Sequence, residues 1–174
     1  MTDCYILDTS IEIIAFDIGV KHLAFCMLEN EKNFKFGMFD ISAKTPIDRL
    51  KNLHNSLKLL PLPKLVVIEQ QVITNSVAMT IQSAITMFYL TEGINVKLYN
   101  PKEKFKIDNL KKFKGKEHKQ LSISYARNIL EKTNLKQLSD FEHYTKKDDI
   151  ADALCMALFT YLNDENKISK LIHS

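Results

Sequence analysis

Residues 11–29, IEIIAFDIGVKHLAFCMLE, form an almost unbroken apolar run with an acid, Asp17, and a glycine, Gly19, set inside it. Ile, Val and Phe in such density mark strands that are covered on both faces, at the centre of a sheet and not at its edge. IEIIAFD is the first strand, and Gly19 and Val20 turn the chain. HLAFCMLE and FKFGMFD are two further strands separated by the polar loop NEKNFK, so the opening third predicts an antiparallel meander. Asp17 closes the first strand, and its presence there needs a reason.

The remaining elements follow from periodicity and punctuation. In TPIDRLKNLHNSLKLL, Thr45 is suited to an N-cap and Pro46 to the first helical position, and Ile47, Leu50, Leu53, Leu57 and Leu60 recur at helical spacing. PLPK ends that helix, and LVVIE is a short buried strand closing on Glu69. SVAMTIQSAITMFYL, residues 76–90, is a helix with few charges, and INVKLYN is the last strand. A basic loop then leads into a helix from about Lys119 to Lys132, and KKDDIADALCMALFTYL is the closing helix. Three strands followed by alternating helix and strand predict an α/β fold built on a mixed five-stranded sheet with helices on both faces. With 174 residues and 45% hydrophobic content, the chain is expected to form one domain over 1–174, with a core from about 11 to 162.

Several classes are disfavoured at this level. No window is apolar for long enough to span a membrane, and MTDCYILDTS lacks the basic and apolar regions of a secretion signal, so the reading is soluble and not secreted. Cys4, Cys26 and Cys155 are odd in number and widely spaced, and the last two sit in apolar runs as small hydrophobes, which fits a reducing compartment. The net charge is only +3, but eight lysines fall between Lys102 and Lys119 against three acids. A local basic segment of this kind matters more for an anionic partner than the total.

If the strands ending in Asp17 and Glu69 are parallel neighbours joined by a crossover helix, their carboxylates converge where ligands gather in open α/β sheets. In DDIAD, Asp149 and Asp152 are three apart and Asp148 and Asp152 four apart, and both spacings put carboxylates on one helical surface. A cation would relieve the repulsion. Oxygen donors without a His or Cys cluster select a hard ion, Mg²⁺ or Mn²⁺.

Taken singly, each acid has an ordinary explanation. Asp17 could be a turn aspartate before Gly19, Glu69 a solvent-facing strand end, and Asp148 and Asp149 helix-dipole residues. Asp152 resists such a reading, because it lies among residues of IADALCMALF that should be buried. It is the conjunction that points to a metal site. His22, His54, His118 and His143 are scattered and read as surface or loop residues, and Met79, Met87 and Phe88 as packing.

AFDIGVKHLAF, VVIEQQ and KKDDIADALCMAL, in that order and at these separations, resemble the RuvC-type nucleases of the RNase H-like superfamily, and most of all the poxvirus Holliday junction resolvases. The resemblance runs from about residue 11 to 162. It implies an RNase H-like fold and an endonuclease that resolves four-way and other branched DNA junctions by paired symmetric nicks leaving 5′-phosphate and 3′-hydroxyl ends. It implies metal ligation by Asp17, Glu69, Asp149 and Asp152, preferring Asp149 where helical spacing leaves Asp148 open, around two Mg²⁺ ions that Mn²⁺ could replace. The family's active-site lysine matches Lys119, with Lys116 close enough to leave the choice open. Lys111, Lys112, Lys114 and Lys116, together with Lys119, would contact the DNA backbone, although a lysine run is more often a solvated face. A viral source would place the work in the cytoplasm of the infected cell.

Four-way junctions present two strands, which calls for two sites and hence a homodimer. The helix at 76–90 offers a surface: Ala78, Ile81, Ile85, Phe88 and Tyr89 can cover the sheet, while Val77, Met79, Ala84, Met87 and Leu90 leave the rest of the circumference apolar. Other readings weigh less. An exonuclease with two acids in its first motif is disfavoured by Gly19, a transposase-like enzyme by the distance from Glu69 to Asp149, and an actin-like or sugar-kinase ATPase by chain length. A catalytically inactive module that binds branched nucleic acid is the non-enzymatic alternative.

Overall fold

A computed structural model describes residues 11–103 and 116–163. Strands β1 (Ile13–Ile18), β2 (His22–Leu28) and β3 (Phe34–Asp40) are followed by helix α1 (Pro46–Leu57), strand β4 (Leu65–Glu69), helix α2 (Ser76–Thr91) and strand β5 (Asn95–Tyr99). Helices α3 (Lys116–Thr133), α4 (Leu135–His143) and α5 (Lys147–Leu162) complete the order. The sheet runs β3-β2-β1-β4-β5. The first three strands form the expected antiparallel meander, and β4 pairs parallel to β1 and to β5. The mixed sheet therefore has β1 at its centre, and all six of its residues are buried.

Alternation along the strands sorts side chains between two cores. Ile14, Phe16 and Ile18 of β1, with Val66 and Ile68 of β4, pack with Leu53 and Leu57 of α1 and with Ile81 and Ile85 of α2. Ile13 and Ala15, with Val67 and Tyr99, face the other way, against α3, α4 and α5. Asp17 and Glu69 each follow a residue of the first core, so both are on the α5 side. Gly19 closes the turn after β1, its N–H donating to the His22 carbonyl at 2.9 Å. A Cβ on Gly19 would stand 2.6 Å from that same oxygen, so the tight turn requires glycine.

Local chemistry sets the helix boundaries. Thr45 caps α1 by accepting from the Asp48 N–H at 3.1 Å, with Pro46 in the first turn. Asn75 caps α2 through the Ala78 N–H at 3.1 Å. Helix α5 has almost no polar face: nine of its residues, from Ile150 to Phe159, are buried between the sheet and α3. Helix α4 is a departure from the sequence reading, which left 133–145 unassigned. Asn134 caps it through the Gln137 N–H at 3.2 Å, and its one fully buried residue, Phe141, meets Phe36 edge-on. Helix α3 begins at Lys116, a turn earlier than expected. Cys26 and Cys155 are buried in the α5-side core, and burial pushes the Cys26 thiol up. Among the described residues no helix is long and apolar enough to cross a membrane.

Glu142 of α4 ties three helices together, accepting from Arg127 of α3 at 2.5 and 3.1 Å and pairing with Lys147 of α5 at 3.1 Å. The Arg127 bonds above all hold its carboxyl at about 2, against an ordinary value of 4.5. A lowered acid contributes stability that is present above 4.5 and lost as pH falls through about 2. With the carboxylate 36% exposed, solvent screening leaves a contribution of about 1 kcal/mol. Glu142→Gln is therefore expected to lower the thermal midpoint by about 2–4 °C at pH 7. The gap should close as pH falls toward about 2. Thermal unfolding across that range checks it.

Candidate metal centre

Parallel pairing of β1 with β4 sets Phe16 opposite Ile68, so Asp17 and Glu69, the next residues along, end adjacent strands at the same edge of the sheet. Asp17 is one of three buried polar residues among those described, at 8% exposure. Its carboxyl is pushed well above the usual carboxylate range, first by desolvation and then by the negative charges of Glu69, Asp152 and Asp149. Of these charges that of Glu69, at the end of the adjacent strand, acts most strongly. Asp149 and Asp152 come from the first turns of α5. Asp149 is also raised, by burial first and by Asp148 next.

Asp148 is placed differently. It forms an ion pair with Lys119, the first α3 lysine whose side chain is described. Burial pushes the Asp148 carboxyl up, but the Lys119 ammonium outweighs it and holds the group below its ordinary value, while Asp148 holds Lys119 above its own. Neighbours that could each approach Asp152 by helical spacing are thus separated by what they face: Asp149 adds to the field on Asp17, and Asp148 is taken up by a lysine. Lys119 also feels Asp149 and Asp152, so one cation stands beside the acidic group. Lys111, Lys112 and Lys114 lie outside the described residues, and Lys116 opens α3.

The donor set suits a hard divalent cation: four carboxylates with no imidazole or thiolate among them, Asp17 being buried and repelled by the other three. Among the described residues no group of three or more acids, histidines or cysteines stands close enough together to hold a metal ion as the side chains are placed. Both observations describe one arrangement. Glu69 stands beside Asp17 at the sheet edge, and the α5 acids act on Asp17 at Coulombic range.

Two residues at this edge were assigned no role in the sequence reading. Gln71 Nε2 donates to the Glu69 carbonyl at 3.1 Å and to Glu69 Oε2 at 3.3 Å. The Gln71 N–H in turn donates to Gln82 Oε1 of α2 at 2.7 Å. Gln82 takes an inward position of α2 with Ala78, Ile81, Ile85 and Tyr89, whereas Phe88, expected there, is only partly buried. The signal was a polar residue adjoining the apolar stripe. On the outer side of α2, Met87 and Leu90 are 58% and 50% exposed and Met79 is half-buried.

Three solved structures share this architecture. The fowlpox virus resolvase, solved with its substrate Holliday junction DNA, matches with a TM-score of 0.63 at 21% identity, covering 87% of this chain and 97% of that one. Thermus thermophilus RuvC matches with a TM-score of 0.57 at 17% identity, covering 91% and 94%. The yeast mitochondrial Holliday junction resolvase Ydc2 matches with a TM-score of 0.59 at 14% identity, covering 95% and 85%. At these identities the likeness is one of fold, and the fold is the RuvC-type form of the RNase H-like sheet. No curated protein sequence gave a significant match. At the level of a family profile the match is continuous over residues 11–164, taking in every element from β1 to α5, and by that match the chain belongs to the poxvirus A22 protein family.

Proposed function

We propose that the protein is a divalent-metal-dependent endonuclease that resolves four-way and other branched DNA junctions by paired symmetric nicks, leaving 5′-phosphate and 3′-hydroxyl ends. The observation that carries this reading is a buried aspartate, Asp17, at the end of the central strand with three further carboxylates acting on it. Such a concentration of negative charge is costly in a folded chain unless a cation offsets it. Asp17, Glu69, Asp149 and Asp152 are the residues that would hold two Mg²⁺ ions, with Mn²⁺ able to replace them. When bound, these ions supply Lewis-acid stabilisation of the scissile phosphate and activation of the attacking water. The chain's own part is to fix Asp17 and Glu69 at adjacent strand ends and to bring α5 against them. The fold it shares with the Holliday junction resolvases of fowlpox virus and yeast mitochondria supports the substrate class.

Lys119 supplies positive charge near the attacked phosphate, exchanging its Asp148 partner for the substrate. Lys111, Lys112, Lys114 and Lys116 contact flanking backbone without reading bases. The working unit is a homodimer, one site per strand, acting in viral DNA replication and recombination in the infected cell's cytoplasm.

Incubating purified protein with an end-labelled four-way junction and Mg²⁺ tests the proposal. Paired nicks at symmetric positions support it, binding without cutting points to a non-catalytic junction-binding module, and degradation from the ends points to another RNase H-like nuclease. In the same assay Lys119→Ala is expected to slow cutting about a hundredfold while changing junction affinity little. Asp148→Asn should stay within about tenfold of wild type, because its carboxylate serves the lysine and not the metal. An inactive Asp148→Asn beside an active Asp149→Asn would reverse that assignment.

A further inference from the structure

Where β4 leaves the sheet, hydrogen bonds fix the chain in succession. The Gln70 N–H donates to the Tyr99 carbonyl at 2.9 Å, extending the β4–β5 ladder by one residue. The next N–H, that of Gln71, turns away from the sheet and is caught by Gln82 Oε1 at 2.7 Å. The Gln71 side chain then folds back, its Nε2 donating to both the carbonyl and the Oε2 of Glu69. Gln82 makes its bond from an apolar setting: it is 7% exposed, next to Ile81 and one turn from Ala78 and Ile85.

An amide buried there loses its hydration, and an apolar side chain of similar size would fill the space without that loss. What the amide provides is an acceptor for a backbone N–H that has left the ladder. Through that bond α2 sets the position of Gln71, and through its own amide Gln71 restricts the rotamer of Glu69. Groups that orient a ligand from outside the metal's own shell tune affinity strongly.

We propose that Gln82 and Gln71 form a two-step relay that positions the Glu69 carboxylate for divalent-cation binding. The proposal rests on the metal-site reading given above. Both are positioning residues: neither is a ligand and neither touches the reacting phosphate. Because α2 also presents Met79, Met87 and Leu90 outward, the relay joins an exposed helix face to a carboxylate of the metal centre.

The test is Mn²⁺ binding to DNA-free protein, followed by calorimetric titration, in wild type, Gln82→Leu and Gln71→Ala. Both variants are expected to bind Mn²⁺ about 10–100-fold more weakly. The metal-free thermal midpoint of Gln82→Leu should move by only a few degrees, the lost acceptor for the Gln71 N–H being offset by an apolar side chain in an apolar setting, and junction affinity in metal-free buffer should be unchanged in both. Raising Mg²⁺ to saturation should restore most of the turnover of Gln71→Ala, as a loss of metal affinity requires. Should Gln82→Leu fail to fold, Gln71→Ala decides alone, since its side chain belongs to neither apolar core. Wild-type affinity in the variants overturns the relay and leaves the metal site standing. A wild-type protein that takes up no Mn²⁺ overturns the metal site and the relay with it.

Discussion

Asp17→Asn is expected to abolish junction cleavage, by about a thousandfold or more, and at the same time to raise the thermal midpoint of the metal-free protein. The amide keeps the shape of the carboxylate and loses its charge. A bound metal contributes several kcal/mol of transition-state stabilisation, and each 1.36 kcal/mol is about tenfold in rate. Stability moves the other way, because Asp17 is 8% exposed and repelled by Glu69, Asp152 and Asp149. Removing that burden is worth about 1–3 kcal/mol, or roughly 2–10 °C for a chain of this size. The pH dependence has a definite sign. An acid whose folded pKa is raised contributes stability that is fully present below its ordinary value of 3.8 and lost as pH rises through the folded value. The advantage of the Asn variant should therefore grow from about pH 4 upward. Junction binding should survive or tighten, since one negative charge facing phosphate is gone. Single-turnover cleavage and calorimetry in chelator decide the matter, and cleavage within tenfold of wild type would sink the metal-site reading.

The second large effect concerns assembly. Met79, Ser83, Met87 and Leu90 follow one another at four, four and three residues along α2, which sets them on one face, and Met87 and Leu90 are more exposed than a lone helix covering a sheet needs. Met87→Glu combined with Leu90→Glu is expected to convert a homodimer into monomers. A two-fold interface meets each substitution twice, so about 1 kcal/mol per site sums to about 4 kcal/mol, roughly a thousandfold in the dissociation constant. Neither residue is buried in the α1/α2 core, so the fold should persist. The monomers should bind junctions poorly and nick a single strand. Sedimentation showing wild-type protein to be monomeric at micromolar concentration, free and on a junction, would retire the dimer.

The parts legible in the sequence were those governed by local pattern. The apolar run of β1 and the short LVVIE strand marked buried parallel neighbours, and their closing acids, Asp17 and Glu69, share a sheet edge for that reason. The Asp-x-x-Asp spacing of Asp149 and Asp152 is likewise a property of one helix. Helix α4 escaped because only Phe141 of its nine residues is buried, and a short helix with so narrow an apolar stripe is hard to separate from a loop. The partition of Asp148 from Asp149 depends on Lys119, 29 residues away, and the role of Gln82 depends on where the chain leaves β4. Neither contact leaves a mark at helical or strand spacing. The expected backbone contacts of Lys111, Lys112 and Lys114 fall on residues outside those described.

The division of side chains between two cores has a consequence for how such a chain can vary. Asp17 reaches the α5 side because it stands an even number of residues from Ile13 and Ala15, both of which face that way. One residue inserted between Ile13 and Asp17 would turn the acid toward Leu53 and Ile81, or else slip the strand and invert every residue before it. Two residues would restore the side but slide the carboxylate about 6.6 Å along the sheet, away from Glu69. Exchanges among Ile, Val and Leu in β1 alter only the volume of a core. A change in its length alters which core the acid enters, so the count of residues in β1 is as much a part of the site as Asp17 itself.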